Sequence, residues 1–369
     1  MRPDRRVRIG MICVMLIVFS GASKVTCAAG PSYTHPTDPR YSANEDKRAI
    51  RPITSPSFTV GQPSGALVPT IVSDWFRIVE YPENHLNDFC LFRDQSGLWH
   101  AIGIMGTGDA KSELRFFHST GESIRRRFTN REPLFEGLPE WIGEPRSSNV
   151  SLRKHAPFVV HHENEYHMFY RRPNGTNLHV RTRDPLRWPN RVELAFEEKD
   201  ARDSCIIRVD EVFYHYSCQA MEIDGVWRSC VAVRTSHDLR DWSDAKPAHV
   251  DTSHVTDHSR MESPFVVKRP EGYYLFVRNR MFDDPSLTTI YFSQTPERFP
   301  SGNKAWFAEL KNVHAPEIVE EPGRYFIARV SGAHHANRQA PEQGGWIEVA
   351  ELAFRSSSFR NRGETGSLP

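Results

Sequence analysis

A short phrase recurs five times between Asn87 and Val319, and no other feature of the chain so narrows what it can fold into. The copies read NDFCLF from Asn87, HAPFVV from His155, RDSCII from Arg202, ESPFVV from Glu262 and HAPEIV from His314. With the third residue of each as an anchor (Phe89, Pro157, Ser204, Pro264, Pro316), successive copies lie 68, 47, 60 and 52 residues apart. Those are blade-sized periods separated by loops of unequal length. After each anchor comes a β-rich run, a polar or glycine-containing turn, and a second strand heavy in aromatics: LWHAIGI, EYHMFY, VFYHYS, GYYLFV and RYFIAR. Each pair reads as a hairpin. Helical periodicity is almost absent. Five units of three or four strands cannot bury their faces singly; stacked around an axis they cover one another. The expected fold is all-β, a five-bladed β-propeller.

That core is expected over residues 73–354, after an irregular Pro/Ser-rich lead-in at 29–72 and before a disordered tail at 355–369. Ahead of it, Arg2, Arg5, Arg6 and Arg8, the apolar run Ile9 to Phe19 and the small residues at Ala28 and Ala29 form the three parts of a secretory signal over 1–28. A secreted or periplasmic protein with no transmembrane segment is the expectation, since the run falls short of the roughly 20 residues a spanning helix needs. Lipid anchoring through Cys27 would need a better motif than Lys24-Val25-Thr26. The net charge of +1 favours neither nucleic acid nor a membrane surface. Beyond residue 28 stand Cys90, Cys205, Cys218 and Cys230. Cys218 and Cys230 are nearly symmetric about the turn signal Asp224-Gly225, so a disulfide across two strands and two packed thiols are both open.

In a propeller the innermost strands line the axis, and the repeat shows which residues share it. One place before the anchors sit Asp88, Ala156, Asp203, Ser263 and Ala315; two places before sit Asn87, His155, Arg202, Glu262 and His314. Blades one, three and four thus supply carboxylates. On these residues the chain resembles the glycoside hydrolases of families 43 and 32. Asn87-Asp88 and Arg202-Asp203 resemble the Asn-Asp-Pro and Arg-Asp-Pro motifs of family 32, with Phe89 and Ser204 where proline is expected; Glu262-Ser263-Pro264 and His314-Ala315-Pro316-Glu317 are more similar to family 43. The resemblance implies Glu262 as general acid, Asp88 as base (inverting, as in family 43) or nucleophile (retaining, as in family 32), and Asp203 as the residue that orients substrate and raises the acid's pKa. Alternation along a strand sets Glu262 and the aspartates on opposite faces, so Asp257 is a fallback acid.

His155 and His314 are candidate substrate contacts. The reaction requires no cofactor, although an axial Ca2+ touching His314 is what some resembling enzymes add. Arg171 and Arg172 close one second strand, Arg278 and Arg280 another; Arg172 and Arg278 are candidate contacts for a carbohydrate, with an anionic sugar suited to their bidentate geometry. Trp141 is a candidate stacking platform. A non-catalytic propeller that binds carbohydrate or protein would differ in having no use for three converging acids.

Overall fold

The computed structural model describes residues 65–107, 112–137, 140–141, 153–172, 175–198, 200–278, 287–302, 305–332 and 344–356. The signal segment, Cys27, most of the lead-in, nearly all of the tail and Arg280 lie outside them. Among the described residues there are twenty-two β-strands and no α-helix. They form five sheets; in each, the strands that follow one copy of the repeated phrase pair antiparallel in chain order, and in blade two the strand Glu140–Trp141 adds in parallel at the outer edge.

The innermost strands are His85–Arg93, His155–His162, Arg202–Val209, Glu262–Arg269 and Glu317–Glu321. Each pairs with the aromatic-rich second strand expected from sequence: Trp99–Gly106, Glu165–Arg171, Val212–Ile223, Gly272–Arg278 and Arg324–Gly332. The inner strands touch one another in order, and that of blade five touches that of blade one. The ring is a five-bladed β-propeller.

Its closure extends the expected boundary. The strand Val68–Ile71, assigned from sequence to the lead-in, pairs with the last strand Gly345–Arg355, as does Phe76–Tyr81. Blade five is therefore sewn from both ends of the array, which removes an exposed edge.

The apolar clusters straddle neighbouring blades rather than filling any one. Tyr216 of blade three packs in one cluster with Tyr274 and Tyr291 of blade four, and Ile102 and Phe116 of blade one with Met168 and Tyr170 of blade two. This shared burial makes the blades interdependent.

Among the described residues the four cysteines, Cys90, Cys205, Cys218 and Cys230, are unbridged. Asp224 and Gly225, both at positive φ (52° and 76°), form a two-residue turn that pairs Ile223 with Val226. That register sets Cys218 opposite Val231 and Cys230 opposite Gln219. The thiols miss each other by one residue, and a one-residue offset turns them to opposite faces of the blade.

Candidate active site

The inner strands are not regular where they reach the axis. In blades two, three and four one extra residue is inserted, between His155 and Phe158, Arg202 and Cys205, and Glu262 and Phe265. Just inside each insertion a non-glycine residue adopts the left-handed region: Ala156 at φ 41°, Asp203 at 61° and Ser263 at 50°, with Ala315 of blade five at 48°. In blade one the insertion falls between Leu86 and Phe89. Such bulges break the two-residue alternation of a strand. Glu262 and Asp203, one register apart in the repeat, thereby both come near the guanidinium of Arg202. Asp257, the fallback acid expected from sequence, is exposed, with its carboxylate 3.3 Å from His258.

The anchors and their preceding residues, from Asp88 and Phe89 round to Ala315 and Pro316, line one narrow axial channel together with Glu317. At its rim Ser263 ties two acids together: its N–H donates to Asp203 Oδ2 at 2.9 Å and its hydroxyl to Asp88 Oδ1 at 3.3 Å. Arg202 lies 3.8 Å from Asp203 Oδ2 and 3.7 Å from Glu262 Oε1. Arg278 donates to Glu262 Oε2 at 2.8 Å. All three acids named from sequence therefore share one site.

Burial pushes the Asp88 carboxyl well above the usual range, and the charges of Asp203, Glu262 and Glu113 push the same way, with Arg202 offsetting part. Asp203 is also raised by burial; Arg202 opposes this, Glu262 adds to it, and the Ser263 N–H opposes it again. Like-charge proximity, expected from sequence to act on Glu262, bears most visibly on Asp88.

Arg278 also donates to Nδ1 of His314 at 2.7 Å, so the proton of that ring sits on Nε2, 3.3 Å from Asn87 Oδ1. His314 is thus a hydrogen-bonded link joining blades four, five and one. A guanidinium on one nitrogen and a donated proton on the other do not fit the expected cation contact, because Ca2+ takes oxygen ligands and is repelled by Arg278. Among the described residues no group of three or more His, Cys, Asp or Glu side chains is arranged to hold a metal.

His155 reaches the site rim, 4.0 Å from Glu113, and burial lowers its pKa to about 4. Arg172 is fully buried; burial lowers its pKa and Tyr170 opposes this, whereas Arg171 feels Asp200, Arg202, Asp203 and Arg153. Adjacent strand residues face opposite ways, and the face presented to the axis is that of Arg171. The backbone of Trp141 lies in the outermost strand of blade two, paired with Arg191–Val192; its side chain lies outside the described residues.

Two buried acids escaped the sequence reading as site members. Glu317, next to the last anchor, lines the channel and accepts from Leu91 N–H at 3.4 Å; burial raises it well above the ordinary value. Glu113 comes from a loop no repeat could flag and faces His85 at 3.4 Å and Arg153 at 3.3 Å.

No protein-family model and no curated protein sequence matches the chain. Solved structures do match its fold. The Bombyx mori GH32 β-fructofuranosidase is 13% identical with a TM-score of 0.55, over 76% of this chain and 63% of that one. A thermostable family-43 glycoside hydrolase is 16% identical with a TM-score of 0.55, over 76% and 94%. A GH43 β-xylosidase/α-arabinofuranosidase from a compost microbial metagenome, in complex with xylotriose, is 13% identical with a TM-score of 0.53, over 76% and 96%. The chain spans less than two thirds of the Bombyx mori structure and nearly all of the two family-43 structures. The fold is the five-bladed propeller of the family 43 and family 32 glycoside hydrolases.

Proposed function

We propose that this protein is a glycoside hydrolase acting on an oligo- or polysaccharide. The observation that carries the reading is the meeting of Asp88, Asp203 and Glu262, from three blades, around Ser263 and Arg202 at one end of the axis. Cleaving an acetal needs one carboxyl to protonate the leaving oxygen and another to act at the anomeric carbon. A surface without that task has no reason to hold acids so close, since unpaired charge is costly to desolvate. An inverting reaction follows from the likeness of the blade-four and blade-five phrases to family 43, with Glu262 as acid, Asp88 as base and Asp203 orienting the sugar.

The electrostatics favour a second assignment of the same residues. Asp88 holds its proton more firmly than an ordinary carboxyl, while Glu262 faces two guanidinium groups. With the proton on Asp88, Glu262 would be the carboxylate that acts at the anomeric side.

Hydrolysis of a panel of aryl glycosides and plant or algal oligosaccharides, beside Asp88→Asn and Glu262→Gln, tests both readings. Turnover that either change abolishes on natural linkages supports the hydrolase. A residue acting as acid becomes dispensable when the leaving group is an activated phenol, so the variant that recovers on dinitrophenyl glycosides names the acid. Retained affinity for sugars with no turnover on any panel member would replace the hydrolase with a binding propeller.

A further inference from the structure

Four arginines stand around the carboxylates, and three have an acid in reach. Arg153 lies 3.3 Å from Glu113, Arg202 is within 3.8 Å of both Asp203 and Glu262, and Arg278 lies 2.8 Å from Glu262. Arg171 has none. Among the described residues its side chain makes no ion pair or hydrogen bond, its Nε is sealed from solvent without an acceptor, and the residue is only 9% exposed.

The repeat explains why. Arg171 pairs with His155 in blade two as Arg278 pairs with Glu262 in blade four. Arg278 reaches Glu262 in its own blade and His314, the matching residue of the next. For Arg171 those matching positions hold His155 of blade two, left neutral by a pKa of about 4, and Arg202 of blade three, itself a cation. The same geometry thus delivers a guanidinium to a place where both partner positions lack negative charge. Asp200 and Asp203 act on it only from beyond ion-pair distance. A desolvated cation without a partner is costly, and the arrangement is complete only when an anion arrives.

We propose that Arg171 receives an anionic substituent of the sugar, a carboxylate or a sulfate ester, and that the substrate is an acidic saccharide. This rests on the hydrolase reading for placing the ring over the carboxylates. The planar fork of Arg171 matches two oxygens of either group. Arg202, whose charge acts on Arg171 and which lies within 3.8 Å of Asp203 and Glu262, offsets the repulsion those acids exert on the incoming anion.

Calorimetric titration of the full chain with two matched pairs, glucuronate against glucose and galactose 6-sulfate against galactose, tests this in wild type, Arg171→Gln and Arg171→Lys. At least one acidic sugar is expected to bind wild type roughly ten- to a hundredfold tighter than its neutral mate, and the pair that responds identifies carboxylate or sulfate. Arg171→Gln should erase that preference while leaving the neutral sugar unchanged; Arg171→Lys, which keeps the charge without the fork, should retain part of it and serves if the glutamine variant does not fold. Equal or undetectable affinity within both pairs, or a preference that survives in a folded Arg171→Gln, overturns the proposal. Binding reads independently of turnover. An Arg171-dependent preference without hydrolysis of any glycoside removes the hydrolase reading alone, and hydrolysis without preference removes this one alone.

Discussion

Arg278 donates to Glu262 across the paired strands of blade four at 2.8 Å, and both side chains are largely withdrawn from water. The same Nη1 bonds His314 at 2.7 Å, so one guanidinium sets the position of the acid and of a neighbouring blade. Arg278→Gln is expected to lower stability by about 1–3 kcal/mol and kcat on a responsive glycoside roughly ten- to a hundredfold. Glu262→Gln is expected to cost roughly 10²–10⁴ in kcat on the natural linkage. Unaltered turnover in a folded Arg278→Gln would show that Glu262 needs no such support.

Burial raises the carboxyls of Asp88 and Glu317; the charges of Asp203, Glu262 and Glu113 add to Asp88, while at Glu317 the Leu91 N–H opposes and the charge of Asp88 adds. Between the unfolded value of about 4 and the raised folded value, the native state keeps protons that the unfolded chain has released. Stability therefore falls as pH rises through that window. Asp88→Asn and Glu317→Gln should each gain about 1–3 kcal/mol at pH 8 and nothing at pH 3.5, where the acids are neutral in both states. Denaturant titrations at the two pH values check this; a gain of equal size at both would rule out proton linkage.

Two buried histidine pairs bear the opposite dependence. His100 Nδ1 lies 3.0 Å from His118 Nε2, with Asp94 3.2 Å from the far nitrogen of His100. In blade two His167 Nδ1 lies 2.9 Å from His179 Nε2, and Glu193 is 2.9 Å from His179. Burial, and then the positive neighbours His100 and Arg131 or His179 and Arg181, lower His118 and His167 to about 3. The folded values lie below the unfolded 6.5, so their stabilisation is complete above pH 6.5 and is lost as pH falls towards 3. Each contributes a slope of up to about 1.4 kcal/mol per pH unit in that range. Tm is expected to drop steeply between pH 6.5 and 4, and less steeply in His167→Gln; an identical slope in the variant would show that the unfolding is driven elsewhere.

Because the Asp224-Gly225 turn offsets Cys218 from Cys230 by one residue, both are expected to react with iodoacetamide in denaturant without prior reduction. Dithiothreitol should leave Tm unchanged. Mass spectrometry of the 218 and 230 peptides reads the result, and a recovered Cys218–Cys230 cross-link would contradict the register.

The propeller was legible because its signal is local and repeated. An alternating strand, a turn and an aromatic partner strand recur five times, and each copy carries its own instructions for pairing. Asp88, Asp203, Glu262 and His314 could be named for the same reason, since the repeat assigns each to the axial end of a blade, and Arg278 because it closes a second strand. Which way their side chains face was not legible. Strand alternation set Glu262 against Asp203, and the inserted residues at Asp203-Ser204 and Ser263-Pro264 bring both near Arg202. The choice of Arg171 over Arg172, and the miss between Cys218 and Cys230, likewise hang on register, where one residue reverses a face. Glu113 and the raised Asp88 depend on charges gathered from several blades. The linear sequence determined the units and the chemical groups they carry; the closed ring decided which groups face, pair with and perturb one another, because register and electrostatics sum over residues far apart in the chain.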